Sequence, residues 1–363
     1  MITDLSSSDV QDRIAPPTDL SPVRIAVVGL NFGGHIVDDL LRKPASDYCK
    51  LTTVCDLDAS RANSAAARAG VPACTDLDEL LADPTLEAIG LFTGPAGRAK
   101  LIRRIIRAGK HVMTTKPFER DVAAALEVLQ EAGGLGRVVH LNSPSPVLPA
   151  DLRQVLLWQE KYQLGRPVAC RREVWASYRE QADGNWYDNP ELCPVAPIFR
   201  LGIYLINDMV QLLGEPETVQ VMHSRLFTGR PTPDNAQLSI RFKNGVLGSV
   251  FASFCIDDGQ FYSNSMVLNY QNGTIYRNME PVLYGQGHAL PHMSVVAKTG
   301  KEQTIIERAE PQDSSGAYQW RAFHQAIRTG SLANATTPTQ IVAGIKIINA
   351  MARAEKSGSE ERV

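Results

Sequence analysis

The sequence predicts two units in series: an α/β unit on a doubly wound parallel sheet, then an α+β unit with an open, mainly antiparallel sheet. Three observations predict this. Short apolar strands alternate with helical patterns as far as Leu141. A glycine-rich turn joins the first of those strands to the first helix. Beyond Pro167 the pattern changes to repeated β-rich runs, two pairs of which are joined by Asn-Gly turns.

The first element is the β-branched run Val23 to Val28, followed by Gly29-Leu30-Asn31-Phe32-Gly33-Gly34 and the helix-like His35 to Leu41. Strand, tight turn and helix in this order match the G-x-G-x-x-G phosphate-binding turn of a dinucleotide-binding (Rossmann) unit. Gly29 and Gly34 take its first and third glycine places, and Asn31 takes the second. Asparagine tolerates unusual backbone angles, but its side chain must turn away from the phosphates. The next strand, Leu51 to Cys55, ends at Asp56, 22 residues past Gly34, where an acidic residue meets the adenosine ribose. A carboxylate there accepts from the ribose hydroxyls and repels a 2′-phosphate, so NAD is the expected cofactor. Arg61 keeps NADP open. Gly29, Asn31, Phe32, Gly33, Gly34, Asp56 and Arg61 form the predicted cofactor-binding set, together with Thr93 after the third strand (Leu86 to Phe92) and Lys116.

The helix after Gly97 sets Leu101, Ile102, Ile105 and Ile106 against Arg98, Lys100, Arg103, Arg104 and Arg107. With 37 basic and 39 acidic residues the chain is nearly neutral. This basic stripe therefore reads as a solvated helix face and not as a nucleic-acid surface. The strand ending Val112-Met113-Thr114 then delivers Thr115-Lys116-Pro117. Ligands of open α/β sheets bind outside the carboxyl ends of strands, so Lys116 is placed to meet a substrate. Val138 to Leu141 supplies a further strand.

In the second unit, β-rich runs are expected at Pro167 to Val174, Glu217 to Leu226, Ala236 to Phe242, Val246 to Phe254, Ser265 to Tyr270 and Thr274 to Tyr276. Lys243-Asn244-Gly245 and Asn272-Gly273 read as hairpin turns. Helical pattern returns at Tyr318 to Arg328 and Pro338 to Ala354.

Together these segments resemble the Gfo/Idh/MocA family over nearly the whole chain after Val23. The strand-end "C-D" with a following "R-A" is matched by Cys55-Asp56 and Arg61-Ala62. The "A-G-K-H-V" and "E-K-P" motifs are matched by Ala108 to Val112 and by Thr115-Lys116-Pro117, with Thr115 in place of glutamate. The resemblance implies that Lys116 is the active-site lysine and that an open antiparallel sheet backed by helices caps the cofactor cleft. It also implies that Phe199 to Gly214 is the helix lining the substrate site. On that helix Arg200 stands where enzymatic members often carry aspartate, and Tyr204 where they carry histidine or tyrosine. A homodimer or homotetramer through the open sheet face is implied by the same resemblance.

Oxidising an alcohol sends a hydride to nicotinamide and a proton to a base, and Lys116 and Tyr204 are the candidates. Residues four apart share a helical face, so Arg200 and Tyr204 are expected to project together, with Asp208 one turn on. A cation nearby would lower the tyrosine's pKa. Either Tyr204 transfers the proton with Lys116 on the reacting oxygen, or Lys116 transfers it and Tyr204 positions substrate. Arg200 would suit an acidic substrate such as a uronate; its structural alternative is a partner for Asp208 or for a loop carboxylate. Trp186 and Asp188, in a polar loop with interleaved aromatics, suit a carbohydrate's C–H faces and hydroxyls. Asn142, at a strand end on the side of Lys116, is a further substrate-binding candidate.

The expected function is an NAD(P)-dependent oxidoreductase, and the resemblance implies that it acts on a sugar, cyclitol or related hydroxy or keto compound. A nicotinamide-binding sensor without turnover on the same fold is the alternative. The histidines lack ligand spacing, so no metal is expected. Six scattered cysteines without a C-x-x-C pair suggest reduced thiols and a cytoplasmic location, and no stretch reads as a membrane span. The expected division is a flexible tail over 1–22, the dinucleotide-binding domain over 23–143, the α+β domain over 144–337, and a C-terminal helix and tail over 338–363 packing back towards the first domain.

Overall fold

The computed structural model describes residues 21–178, 180–259, 262–279, 291–299, 302–330 and 336–363. Nearly all of the expected N-terminal tail thus lies outside the described residues.

The first sheet comprises β1 (Val23–Val28), β2 (Cys49–Cys55), β3 (Ala73–Cys74), β4 (Ala88–Leu91), β5 (His111–Thr114) and β6 (Val139–Leu141), all parallel, in the order β3-β2-β1-β4-β5-β6. Strands covered on both faces read as continuous apolar runs. β1 and β4 are almost wholly buried for that reason. Helices α1 (Leu30–Leu40), α2 (Ala45–Tyr48), α3 (Ala59–Ala69), α4 (Leu77–Ala82), α5 (Arg98–Arg107) and α6 (Val122–Gly134) connect the strands. After β3 the chain returns across the sheet to begin β4 on the other side of β1. The loops following β1 and β4 therefore diverge and leave a crevice at the carboxyl edge. Gly29, Asp56, Thr93, Lys116 and Asn142 all lie in the segments that follow strands along that edge.

The second sheet has nine strands: β7 (Pro167–Ala176), β8 (Pro216–Ser224), β9 (Asn235–Phe242), β10 (Leu247–Ser253), β11 (Tyr262–Tyr270), β12 (Gly273–Arg277), β13 (Met293–Thr299), β14 (Glu302–Ala309) and β15 (Glu361–Arg362), in the order β14-β13-β12-β11-β7-β10-β9-β8-β15. Among the described residues only the β7–β10 pair of this sheet is parallel. β9 alternates buried and exposed residues along its length, so one face packs and the other stays open. The covered face meets α7 (Ala150–Lys161), α8 (Ile203–Leu213) and α10 (Pro338–Ser357), with Val155, Trp158, Phe199, Leu205, Met209, Ile347 and Met351 in one apolar core. The β9–β10 turn is the expected Asn-Gly hairpin, with Gly245 at φ +86°.

Two helices join the halves. α9 (Trp320–Thr329) packs Trp320, Phe323 and Ala326 among Val23, Ile25 and Val37, so it belongs to the first core although it follows the second sheet. α10 sends Ile341, Val342 and Ile345 into the first domain and Ile347, Ile348 and Met351 into the second. Thr337 and Gln340 form a reciprocal cap at its start, with Pro338 in the first turn.

Four strands exceed the expectation. β3 and β15 are two residues long, too short for periodicity to reveal. β13 and β14 pair with each other, and in β14 that pairing overrides the helix-favouring composition of Glu302 to Ala309. The last helix, expected over Pro338 to Ala354, continues to Ser357, and the chain then adds β15 to β8.

Candidate active site

A cavity of about 480 Å³ follows the carboxyl edge of the first sheet from Asp56 and Arg61, past Gly29, Asn31, Phe32 and Thr93, to Lys116 and Tyr204. Its elongated lining fits a dinucleotide. Gly29 sits at φ +85°, and a Cβ there would stand 3.0 Å from the Phe92 backbone, so the turn passes β4 as only glycine allows. The glycine that lets α1 approach the sheet is Gly33, whose added Cβ would meet Val27 at 3.2 Å. Gly34, expected in that role, has open space beside it, with only the Arg68 guanidinium at 3.8 Å. Asn31 lies exposed in the first turn of α1, at the helix end whose backbone N–H groups suit an anion.

Asp56 is buried and its carboxylate is engaged within the protein. Its Oδ2 accepts the Leu30 N–H at 2.7 Å, fixing the phosphate turn to β2. Its Oδ1 accepts the Asp58 N–H at 2.9 Å and Arg61 Nη1 at 3.1 Å. Burial alone would raise this carboxyl's pKa, but the Leu30, Asp58 and Arg61 donors hold it below its usual value. Arg61, half exposed, also lies 3.5 Å from Asp58.

At the other end of the cavity, Lys116 Nζ donates to the Arg200 carbonyl and stands 4.3 Å from the centroid of the Tyr204 ring. Burial, reinforced by the Arg200 guanidinium, brings its pKa down from 10.5 to about 7. The segment carrying Lys116 is held from beneath by Arg98, which the basic stripe had placed in solvent. Arg98 is 1% exposed; it donates to the carbonyls of Thr115 (2.6 Å), Pro117, Phe118 (3.2 Å) and Thr93. The rest of the stripe is solvent-facing as expected, with Arg103, Arg104 and Arg107 paired to Glu127, Glu131 and Asp78. Glu119, also buried, accepts the N–H groups of Gly97 and Ala99 and closes the N-terminus of α5.

Asn142 is 1% exposed and fully engaged. Its Oδ1 accepts the Lys116 N–H (3.2 Å) and the Thr115 hydroxyl (3.3 Å); its Nδ2 donates to the Tyr204 hydroxyl and to the Gly316 carbonyl, both at 3.1 Å. No polar atom of Asn142 is left for a substrate, contrary to the expectation. Tyr204 also departs from it. Burial, with the Tyr318 and Tyr262 phenols nearby, raises its pKa well above the ordinary value, and no cation reverses that.

Arg200 lies in a π-helical turn, Ile198–Gly202, that leads directly into α8, the helix that carries Tyr204. The Arg200 guanidinium is committed to a neighbour on the loop before it. It forms a two-pronged pair with Glu180 at 2.6 and 2.9 Å. Its guanidinium lies 3.8 Å from the Tyr187 ring centroid and 4.7 Å from that of Phe254. Asp208 pairs with Arg172 at 3.0 Å within the second core. Arg200's partner is thus a loop carboxylate, and its fork is closed to an acidic substrate in this arrangement.

Trp186 and Tyr187 wall the cavity, their rings 4.2 Å apart. Asp188, expected to meet sugar hydroxyls, is taken by the N–H groups of Asp183 (2.9 Å) and Gly184 (2.6 Å) and by Arg230 (2.6 Å). It fastens the loop that presents Trp186. His140 packs against Phe323 with no partner on either ring nitrogen, and burial lowers its pKa to about 3. Sequence reasoning missed Arg98, Glu180, Arg230, Tyr187 and Gly316. For Arg98 a signal existed, since it lies four and seven residues before Ile102 and Ile105 on the apolar stripe. For Glu180 and Arg230 there was none, because their partners are 20 to 50 residues away.

Among the described residues no helix is long and apolar enough to cross a membrane, and all six cysteines are free thiols. The chain is 27% identical over 205 residues to an uncharacterized oxidoreductase of Schizosaccharomyces pombe, a match covering 55% of this chain and 54% of that one. It is 26% identical over 222 residues to the scyllo-inositol 2-dehydrogenase (NADP⁺) of Bacillus subtilis, covering 57% and 63%. The chain thus spans little more than half the length of these curated relatives. The crystal structure of a levoglucosan dehydrogenase with NADH and levoglucosan superposes with a TM-score of 0.72 over 94% of this chain and all (100%) of that one; at 16% identity the likeness is one of fold. Family models for the oxidoreductase NAD-binding Rossmann fold and for the GFO/IDH/MocA C-terminal domain match residues 23–143 and 153–276, and the chain belongs to the Gfo/Idh/MocA family of NAD-binding oxidoreductases.

Proposed function

We propose that this protein is an NAD(P)-dependent dehydrogenase or reductase that interconverts a secondary alcohol and a ketone on a neutral sugar, cyclitol or related polyol. The observation that carries the reading is the Lys116 amine. It stands at the inner end of the dinucleotide cavity beside Tyr204, with a pKa of about 7. A group that titrates near the working pH is suited to both accepting and returning a proton. The bound nicotinamide supplies the hydride acceptor in one direction and the donor in the other. Lys116, neutral above pH 7, takes the hydroxyl proton during oxidation and gives it back during reduction. Tyr204, kept protonated by burial, holds the reacting oxygen with its O–H. Trp186 and Tyr187 offer aromatic faces to the C–H side of a ring, and the closure of Arg200 by Glu180 disfavours a uronate. The names of the scyllo-inositol and levoglucosan dehydrogenases support the same substrate class.

The test is titration of purified protein with NADH and NADPH, followed by nicotinamide absorbance while cyclitols, aldoses, uronates and their keto forms are added. Binding with a signal from neutral polyols is the expected result. Binding with no signal across the panel would turn the reading into that of a sensor.

The adenosine end carries a second expectation. Three of roughly four acceptor positions on Asp56 are already filled. Asp56→Ala should therefore loosen both the ribose contact and the phosphate turn, weakening NADH about tenfold or more and narrowing its advantage over NADPH. Arg61→Ala should weaken NADPH more than NADH. Fluorescence titration of both cofactors reads the ratio, and an unchanged ratio in both variants would remove these residues from cofactor choice.

A further inference from the structure

The hydrogen bonds of Asn142 have a direction that the backbone fixes. The Lys116 N–H can only donate, so the atom facing it at 3.2 Å is the amide oxygen. The Gly316 carbonyl can only accept, so the atom facing it at 3.1 Å is the amide nitrogen. The remaining N–H of Asn142 therefore points at the Tyr204 oxygen, 3.1 Å away, which must accept it. A phenol has one proton, and that proton is not spent on Asn142. The ring itself has little freedom. Lys116 Nζ lies over one face at 4.3 Å from the centroid. At the edge, Gly316 holds φ +103°, and a Cβ there would stand 3.2 Å from Tyr204 Cε1.

We propose that Asn142 is a positioning residue that sets the proton polarity of the site, donating into Tyr204 so that the phenol O–H is presented to the substrate oxygen, while its carbonyl holds the backbone of Lys116. This rests on the dehydrogenase reading and assigns its proton traffic. In oxidation the substrate hydroxyl proton passes to the Lys116 lone pair. The C–H electron pair leaves as hydride to the nicotinamide, the carbonyl forms, and the Tyr204 O–H remains a hydrogen-bond donor to the same oxygen throughout. Tyr204 gives up no proton in the cycle.

Asn142→Asp is nearly isosteric and reverses the polarity, because a carboxylate accepts from Tyr204 and turns its proton away from substrate. We expect turnover to fall about 100-fold, with NADH affinity within about threefold. The acid limb of the pH–rate profile should move upward, because the new charge stabilises the Lys116 ammonium. Tyr204→Phe should cost a similar factor in the native background and add little in Asn142→Asp. Full additivity of the two substitutions, with an unmoved acid limb, would overturn the proposal.

A second measurement avoids a substituted buried amide. With 2,3,5-trifluorotyrosine at position 204 the phenol is more acidic, and a Tyr204 that must stay protonated predicts a new fall in turnover on the alkaline side. A base at that position predicts gain on the acid side instead, which would sink the idea. The fluorine resonances of the same protein, titrated in the NADH complex without substrate, should shift their midpoint up by about one pH unit or more in Asn142→Asp. An unmoved midpoint would overturn the role of Asn142 even if no substrate turned over, whereas a moved midpoint in a protein inert to every substrate would count against the dehydrogenase reading alone.

Discussion

Lys116→Ala should lower turnover by about a thousandfold while NADH affinity changes by no more than a few-fold. Lys116 belongs to none of the apolar cores; its amine donates to the Arg200 carbonyl and lies over the Tyr204 ring. The loss should fall on the chemical step and show in single-turnover absorbance with saturating cofactor. Wild-type turnover in the variant would exclude Lys116 from proton transfer. The pH dependence follows from the same group. With a pKa of about 7 the amine is protonated below pH 7 and cannot accept the hydroxyl proton, so oxidation should rise through pH 7. Reduction needs the protonated form and should fall through the same range. Lys116→Arg keeps the charge but cannot give up its proton near neutrality, so it should be as inactive as alanine.

Stability should rise with pH, in step with oxidation and against reduction. The folded pKa of Lys116, about 7, lies below the ordinary 10.5, so folding disfavours the charged amine. That penalty is full below pH 7, shrinks between 7 and 10.5, and is gone above. A residue held at a cost to the fold and placed at a ligand cavity is expected of a functional group. The same environment pushes Tyr204 upward, so one group is ready to be neutral and the other stays protonated. Environments that drive two pKa values apart divide the acid and base work between them.

How much of this was legible in the sequence depended on whether the determining contacts were local. The positions of the glycine turn, Asp56 and Lys116 along one edge of the first sheet were legible because each follows a strand that its own residues specify. Gly33 and Gly34 could not be told apart, since which of them faces the sheet depends on the helix's rotation, and Val27 decides it. Which carboxylate would take Arg200 was not legible, because Glu180 lies 20 residues before it in the sequence. Asp188 lies in the loop that carries Trp186, and its fastening role was not legible because Arg230, its partner, is 42 residues away. Asn142 was recognised as part of the site, yet its four bonds join three segments that are adjacent only in the fold: the end of β5, α8 and the loop before α9.

Arg98→Met should produce the largest loss of stability of any single substitution near the site, about 3 to 5 kcal/mol. The guanidinium lowers the cost of burying four carbonyls, those of Thr93, Thr115, Pro117 and Phe118, and methionine would leave them all without a donor. Burial brings the Arg98 pKa down to about 10 against the pull of Glu119, which still leaves the guanidinium charged at neutral pH. The loss should not be confined to the fold. Those carbonyls flank Lys116 and end the strand that carries Thr93, so a relaxed segment would move the amine and the cavity wall together. NADH binding should therefore weaken along with thermal stability, in contrast to Lys116→Ala, which spares both. Arg98→Lys, with three donors on a flexible stem, should recover part of each. Denaturant unfolding of the three proteins with and without NADH separates these expectations. An Arg98→Met variant with the native midpoint would mean that the backbone holds the Lys116 segment without the guanidinium.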